Sequence, residues 1–573
     1  MQQIEGRLIY APSDLNDALE CAHLLELERR AALGEIESAE KSETASLLAR
    51  KGLEHEAHQL HRYRAQCGDA LVAFAPEPAT SVALLHAMEA RTVAAMDAGA
   101  PIIYQAAFFD GTFFGRADFL RRVERPSARK SWSYEAIDTK LALSVKPYYL
   151  VQLAHYSAQL ERVQGTAPEA MHVVLGSGAQ RSFRVAEAAA YERRLRENFL
   201  AAAHTEAAAT YPLEVAHCEL CPWNERCSAQ RVRDDHLSLV ARIRRDQIAR
   251  LESGGITTLA ALADAPHRPP GMEERTFATL QAQAAIQERG RREHRHVYEL
   301  LDDAQRAGLG LLPRPDDGDL FFDIEGDPLY APERGLEYLF GFYAPLEGRY
   351  TAFWARSSAD ERAAFEAAAD FIYERRERYP QMHVYHYAPY ETAALRRLMG
   401  FYGSREYVID DLLRNETFID LYAVVRQSLR ISAASYSIKK LEPFYGMERT
   451  TDVRRGDDSI VMFETWLIGG DDRILDDIER YNEDDCRSTH RLREWLLGVR
   501  AEHERTIGSA IPWRSTEPKE APQNEERSEL AARLLDGVEA PLSLAQLRAQ
   551  DETTRGRWLL GNLLDYHARE DKP

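Results

Sequence analysis

Apolar positions change rhythm several times along the chain, and each rhythm predicts a different kind of element. Over residues 13–100 they recur at steps of three and four among Ala, Leu and Glu, the period of helices with one buried face. Between 101 and 155 the runs PIIYQAAFF, FFGRADFL and SYEAIDTKLAL are short, apolar or alternating, with Gly and Asp between them. They predict strands of one sheet. Helical spacing returns at 148–165 and 185–210, and a cysteine-rich turn, HCELCPWNERC, closes this unit near residue 230. Residues 236–300 read as helical, with a break at Gly254-Gly255 inside DQIARLESGGITTLAALADA. A Pro- and Asp-rich stretch, LLPRPDDGD (311–319), marks a boundary. The strand LFFDIEGDP follows it, and strand and helix patterns then alternate to about residue 498. That alternation predicts an α/β unit. Beyond 501 the chain is charged and Pro-containing (TEPKEAPQNEERSE), then helical.

Length agrees with several units. At about 150 residues per domain, 573 residues make three or four. A hydrophobic content of 45% lets each bury a core. The sequence holds no run of about 18 apolar residues and no basic patch leading into an apolar N-terminal stretch, so a cytoplasmic protein with no membrane partner is expected. The net charge of −20 does not favour nucleic-acid binding as a whole-chain property, although a local basic groove can sit on an acidic protein. Basic clusters occur at Arg121-Arg122, at Arg242, Arg244 and Arg245, and at Arg291, Arg292 and Arg295. Each, taken alone, reads as a solvated face. The helix–turn–helix run around Gly254 resembles a helix-hairpin-helix element, whose turn amides approach a phosphate; a helical linker is the plain alternative. No phosphate-loop motif of a nucleotide-driven motor occurs.

Candidate chemistry falls in three places. The first is a set of polar residues on the predicted sheet. Asp138 and Lys140 are two apart on one strand and so project together, and Asp118 on a neighbouring strand completes a carboxylate pair for Mg²⁺ or Mn²⁺. Lys140 would orient or help deprotonate a water and stabilise charge on a phosphate. His55, in GLEHE, offers a further ligand on a helix, and Gln152 and Tyr156 share one helix face four residues apart. A bare D-x-K pair also fits a surface ion pair. The ordered set G-x-x-H-E, G-R-A-D-F, D-x-K and Q-x-x-x-Y resembles the RecB-like branch of the PD-(D/E)xK nucleases, over roughly residues 1–230. The resemblance implies His55, Asp118 and Asp138 at the metal, Lys140 beside it, and Gln152 and Tyr156 on the trailing helix.

The second place is cysteine-rich. Cys218, Cys221 and Cys227 put three thiols on one short loop, and Cys21 can supply a fourth. Four thiolates suit zinc or an iron–sulfur cluster, and spacing does not separate them. One cysteine before the nuclease motifs and three after them also resembles the iron–sulfur members of the RecB-like family, which implies a [4Fe–4S] staple. Cys67 and Cys486 have no partners in sequence.

The third place is acidic. Asp323 and Glu325 share one face at the end of an apolar strand, Glu391 lies at a strand-to-helix junction, and Asp485 follows Tyr481 by four residues. Asp420 is an alternative to Glu391. Carboxylates converging from separate elements repel unless cations lie between them, the pattern of two-metal phosphoryl chemistry. The order D-x-E, acidic residue, Y-x-x-x-D resembles the DEDDy exonucleases of the ribonuclease H-like fold. The resemblance implies Asp323, Glu325, Glu391 and Asp485 as ligands, with Tyr481 positioning the water; Glu391 departs from the usual Asp.

Together these features predict an α/β multidomain DNA-processing enzyme. The expected order is an iron–sulfur PD-(D/E)xK domain (1–235), a helical segment (236–305), a ribonuclease H-like domain (310–500) and a charged helical tail (501–573). The expected activity is metal-dependent cleavage of single-stranded or end-containing DNA in repair, recombination or defence. An RNA-processing nuclease and a non-catalytic binding scaffold are the competing readings. The resemblance further implies a helicase as partner, in cis or in trans, with this chain as the N-terminal part of a nuclease–helicase or as a relative without the motor.

Overall fold

The strand segments predicted between residues 101 and 155 pair into one sheet, which two further strands at Ala170–Leu175 and Gln180–Arg184 extend. In the computed structural model, which describes residues 1–204, 210–301, 308–331, 334–450, 456–514, 525–538 and 544–564, helix α1 (Glu43–Cys67) precedes strands β1 (Ile102–Phe109), β2 (Phe114–Val123) and β3 (Ser133–Lys140). Helix α2 (Pro147–Gln164) then crosses to β4 (Ala170–Leu175), and β5 (Gln180–Arg184) closes the sheet. β1, β2 and β3 form an antiparallel meander, and β4 lies parallel to β3. A two-residue strand, Val72–Ala73, pairs along the free edge of β1. Antiparallel neighbours need only short turns, whereas the parallel β3–β4 step needs a crossover, and α2 is that crossover. One face buries Ile103, Phe108, Leu120 and Ala136 against Leu153 and Leu160 of α2. The other packs Phe119 and Ile137 on Leu60 and Tyr63 of α1.

The middle segment contains helices Arg245–Ser253, Leu259–Ala263 and Glu274–Glu293, packed around Ile248, Leu251, Leu259, Leu262 and Phe277. It is not helical throughout. Tyr298–Leu300 is extended and pairs antiparallel with Leu429–Ile431, so its end is stitched to the following unit.

The third unit has a five-stranded mixed sheet made of β6 (Leu320–Asp327), β7 (Leu336–Ala344), β8 (Arg349–Trp354), β9 (Val384–His386) and β10 (Phe418–Asp420). The order across it is β8-β7-β6-β9-β10. The first three run antiparallel, and β9 and β10 are parallel to β6. Helix α3 (Tyr390–Tyr402) follows β9, and α4 (Gly456–Gly469) and α5 (Arg473–Ile507) come late in the chain. Leu320, Phe322 and Ile324 point into one core and Phe321 into the other. By the two-residue period, Asp323 and Glu325 therefore share the side of Phe321. Leu492, Leu496 and Val499 of α5 fill the Phe321 side. The apolar stripe does not stop near residue 498: α5 runs without interruption to Ile507 and ends at Gly508 in a left-handed conformation, φ 69°. Buried Arg500, stacked 3.6 Å from the Trp513 ring, binds the Leu309 carbonyl at 2.8 Å and folds residues 511–513 back onto the unit. Much of the charged stretch that follows, 515–524, lies outside the described residues.

Candidate active sites

The acidic cluster of the third unit is assembled by two elements. β6 presents Asp323 and Glu325 on one face, and one turn of α5 presents Tyr481 and Asp485. Ligand oxygens of Asp323, Glu325 and Asp485 lie within 4.8 Å of one another, the one such acidic, histidine or cysteine set found among the described residues. α5 approaches this closely because β7 carries Gly341 opposite Asp323; a Cβ there would collide with Asn482 Oδ1. Asn482 donates to Asp323 Oδ2 at 2.7 Å and accepts from the Tyr350 hydroxyl at 2.8 Å. Ser459 of α4 donates to Glu325 Oε2 at 2.8 Å. Arg449 reaches Asp485 and Glu442, each at 2.6 Å, and Lys439 donates to the Tyr481 hydroxyl at 2.8 Å.

Burial and mutual repulsion set the charge states. Burial pushes Asp323 well above the carboxylate range, and the charges of Asp485, Glu325 and Glu391 push it further. Burial and Asp485 raise Glu325 to about 8. Glu391, at the first turn of α3, is raised by burial against the opposing pull of His386, whose Nδ1 lies 3.2 Å from Glu391 Oε2. Glu391 is not in the tight set but contributes to the field at Asp323. Asp420, the alternative to it, caps a helix: its Oδ1 accepts from Ala388 N and Tyr422 N, each at 2.9 Å. Burial and the carboxylates keep Tyr481 a neutral phenol. These residues fit a divalent cation, because crowded buried oxygens of one sign are what a cation relieves. Sequence reasoning missed Asn482, Ser459, Arg449, Lys439 and His386. Asn482 is next to Tyr481 in sequence and offered a weak signal, whereas Ser459 and Lys439 reach the site only through tertiary packing.

The first constellation also meets, more loosely. Lys140 Nζ sits 2.7 Å from Asp138 Oδ2 and donates to Gln152 Oε1 at 3.2 Å. Asp118 Oδ2 accepts from Thr139 N at 2.8 Å and from Thr139 Oγ1 at 2.7 Å. Burial raises Asp138 to about 7, with Lys140 pulling down and Asp118 pushing up. Burial alone would lower Lys140; Asp138 and Asp118 more than offset it, so the ammonium is held. His55 Nε2 lies 3.4 Å from the Val174 carbonyl, and burial keeps the ring neutral. Glu56, the residue after His55, is raised by burial and by Asp118, and is held by Tyr104 and Gln105. Tyr156 donates its hydroxyl to the Arg116 carbonyl at 2.7 Å, bracing β2 behind the carboxylates.

The four cysteines converge as well. Cys21, Cys218, Cys221 and Cys227 line one pocket with Trp223, which donates to Glu28 at 2.7 Å. The three late cysteines are not all on a loop, because Cys227 sits in the first turn of helix Asn224–Arg233. Burial raises Cys221 to about 11, and the other three thiols add to the rise. Cys67 ends α1 beside Leu60 and Tyr63. Cys486 is buried, its Sγ 3.3 Å from the Gly341 carbonyl.

A mixed five-stranded sheet with acidic residues on its central strand and on a late helix is the arrangement of a nuclease-type domain. Residues 320–497 match the family model RNase_H_2, of the RNase H superfamily, and this part of the chain is a ribonuclease H-like domain. Domains of this family are generally phosphodiester-cleaving hydrolases that use divalent metals such as Mg²⁺, which implies a nucleic-acid partner. No curated protein and no solved structure matches the chain. No helix among the described residues is long and apolar enough to cross a membrane.

Proposed function

We propose that this chain hydrolyses DNA phosphodiester bonds with divalent ions at two sites. The observation that carries the reading is the convergence of Asp323, Glu325 and Asp485 within 4.8 Å in the ribonuclease H-like domain. Mg²⁺ or Mn²⁺ there would supply Lewis acidity and a water of lowered pKa. The chain's own residues set the geometry. Asn482 and Ser459 orient Asp323 and Glu325, Arg449 offsets the charge of Asp485, and Glu391, outside the tight set, adds its charge to the field at Asp323. Tyr481, a neutral phenol held by Lys439, orients the water and does not act as the base.

The meander, crossover helix and parallel strand, with Asp118 and Asp138 on adjoining strands, support a RecB-like PD-(D/E)xK domain in the N-terminal unit. Lys140 serves there as a cation that meets charge developing on the phosphoryl group, since its proton is held. Neutral His55, donating Nε2–H to Val174 O, keeps Nδ1 free as a ligand. The shared pocket of Cys21, Cys218, Cys221 and Cys227 supports a bound metal group. Four thiolates suit zinc or an iron–sulfur cluster, and the resemblance to the iron–sulfur members of the RecB-like family favours a [4Fe–4S] cluster.

The test is cleavage of end-labelled DNA and RNA with Mg²⁺ or Mn²⁺ by the wild type, Lys140→Ala and Asp323→Asn. Each variant is expected to remove one set of products. Full cleavage by both variants on both polymers sinks the proposal, and cleavage of RNA alone replaces DNA as the substrate.

A further inference from the structure

A cleft of about 940 Å³ separates the N-terminal domain from the ribonuclease H-like domain. Its walls come from α1 on one side (His55, His58, Arg62) and from the start of β7 and from α3 on the other (Glu337, Tyr390, Arg397, Phe401). His55 of the first candidate site lines it, and so does Tyr390, the residue before Glu391.

Among the described residues that line the cleft, the charge shown to solvent is positive. The three carboxylates among them, Asp327, Glu337 and Glu361, are 1%, 5% and 1% exposed. Glu337 is paired with Arg397 and Glu361 with Arg334, yet the Arg397 side chain remains 55% exposed. Arg62 is exposed and lies 3.4 Å from an uncharged partner, Gln59 Oε1. Between these cations stand two aromatic side chains that solvent reaches, Tyr390 at 46% and Phe401 at 59% exposure. The Arg334 guanidinium lies 4.1 Å from the centre of the Phe401 ring and supports it. Exposed aromatic faces beside exposed arginines form a surface on which planar groups can stack while anionic groups meet the cations.

We propose that this cleft binds a single strand of nucleic acid, with phosphates on Arg62, His58 and Arg397 and bases stacked on Phe401 and Tyr390. Stacking needs unpaired bases, and a groove that combines cations with aromatic faces is the general form of a single-strand site. The strand runs past His55 and Tyr390, so one bound molecule serves both candidate sites. That last step rests on the two-site reading above; the binding itself does not.

The test measures fluorescence anisotropy of labelled oligothymidylate and oligouridylate of about 16 nucleotides. The full chain is used in EDTA, so that nothing is cleaved. Phe401→Ala is expected to weaken binding about tenfold with the salt dependence unchanged. Arg62→Ala is expected to weaken it and to lower the slope of log affinity against log salt by about 0.7. Both side chains are exposed, so melting temperatures should match the wild type, and Arg505→Ala, outside the cleft, should bind normally. Wild-type affinity in both cleft variants overturns the proposal, as does equal competition by a blunt duplex. Preference between the two oligomers assigns DNA or RNA. A protein that binds here but never cleaves overturns the hydrolytic reading and leaves this one standing. One that cleaves while both variants bind normally does the reverse.

Discussion

Single residues carry the charge balance of the acidic site. Asp323 is raised well above its ordinary value, and Glu325 is raised to about 8 against an ordinary 4.5. In the native metal-free protein these groups hold protons that the unfolded chain releases above about pH 4.5. Between that pH and about 8 the native state therefore binds more protons, and stability falls as pH rises. The apoprotein should melt at a higher temperature at pH 6 than at pH 8. Added Mn²⁺ or Mg²⁺ should raise the melting temperature more at pH 8, because the ion competes with those protons. A Glu325→Gln variant should flatten the apoprotein trend; differential scanning fluorimetry across pH reads all three, and an unchanged slope in the variant contradicts the assignment. Asp323→Asn should lower cleavage at its own site by about 10³-fold, the scale of losing a group that stabilises transition-state charge. Single-turnover rates on end-labelled substrate measure it.

Elements meet through a few unforgiving contacts. β7 and α5 touch where Gly341 faces Asn482, leaving no room for a methyl group. Gly341→Ala should destabilise the domain by about 1–3 kcal/mol, the usual cost of overpacking, and should displace Asn482 from Asp323. Urea unfolding and metal titration of the variant test the two parts. A second contact joins the domains. Lys51 of α1 lies 2.6 Å from Glu464 of α4, and Glu464 shares its surroundings with Asp327 at the end of β6. Asp327 is raised to about 7 by burial and by Glu464. Lys51→Met would remove the nearer of the two cations at Glu464, leaving Arg50 at 3.7 Å, and should cost up to about 3 kcal/mol. The Lys51→Met/Glu464→Gln pair should recover part of it, as a double-mutant cycle in urea would show.

At the scale of the molecule, a group bound by the four cysteines would hold the ends of the N-terminal domain together. Cys21 lies almost two hundred residues before Cys218, so a group bound by all four closes a long loop and contributes to folding through it. Anaerobic purification should yield a brown protein with about four irons per chain, the count of the proposed cluster. Cys21→Ser should bleach it and lower the melting temperature, while the ribonuclease H-like domain keeps its cleavage. A colourless protein containing zinc contradicts the cluster.

The sequence alone determined which residues could act, because the relevant signals are local. A two-residue period puts Asp323 beside Glu325 and Asp138 beside Lys140, and a four-residue helical step aligns Tyr481 with Asp485. The same periods made the strands between residues 101 and 140, the strand at Leu320–Asp327 and most helices legible, whereas Ala170–Leu175 and Gln180–Arg184 were not read as strands. What reaches a site from elsewhere in the chain was not legible. Ser459, Lys439 and Arg449 hold the acidic site through contacts that depend on how α4, α5 and the segment before them pack. Asp420 read as an alternative to Glu391, and only its hydrogen bonds revealed a helix cap. The strand at Tyr298–Leu300 was hidden because three residues carry too little pattern to outweigh the helix before them. The cleft between the domains is the clearest case. Arg62 lies over three hundred residues before Tyr390, Arg397 and Phe401, and only tertiary packing turns these solvated side chains into one surface.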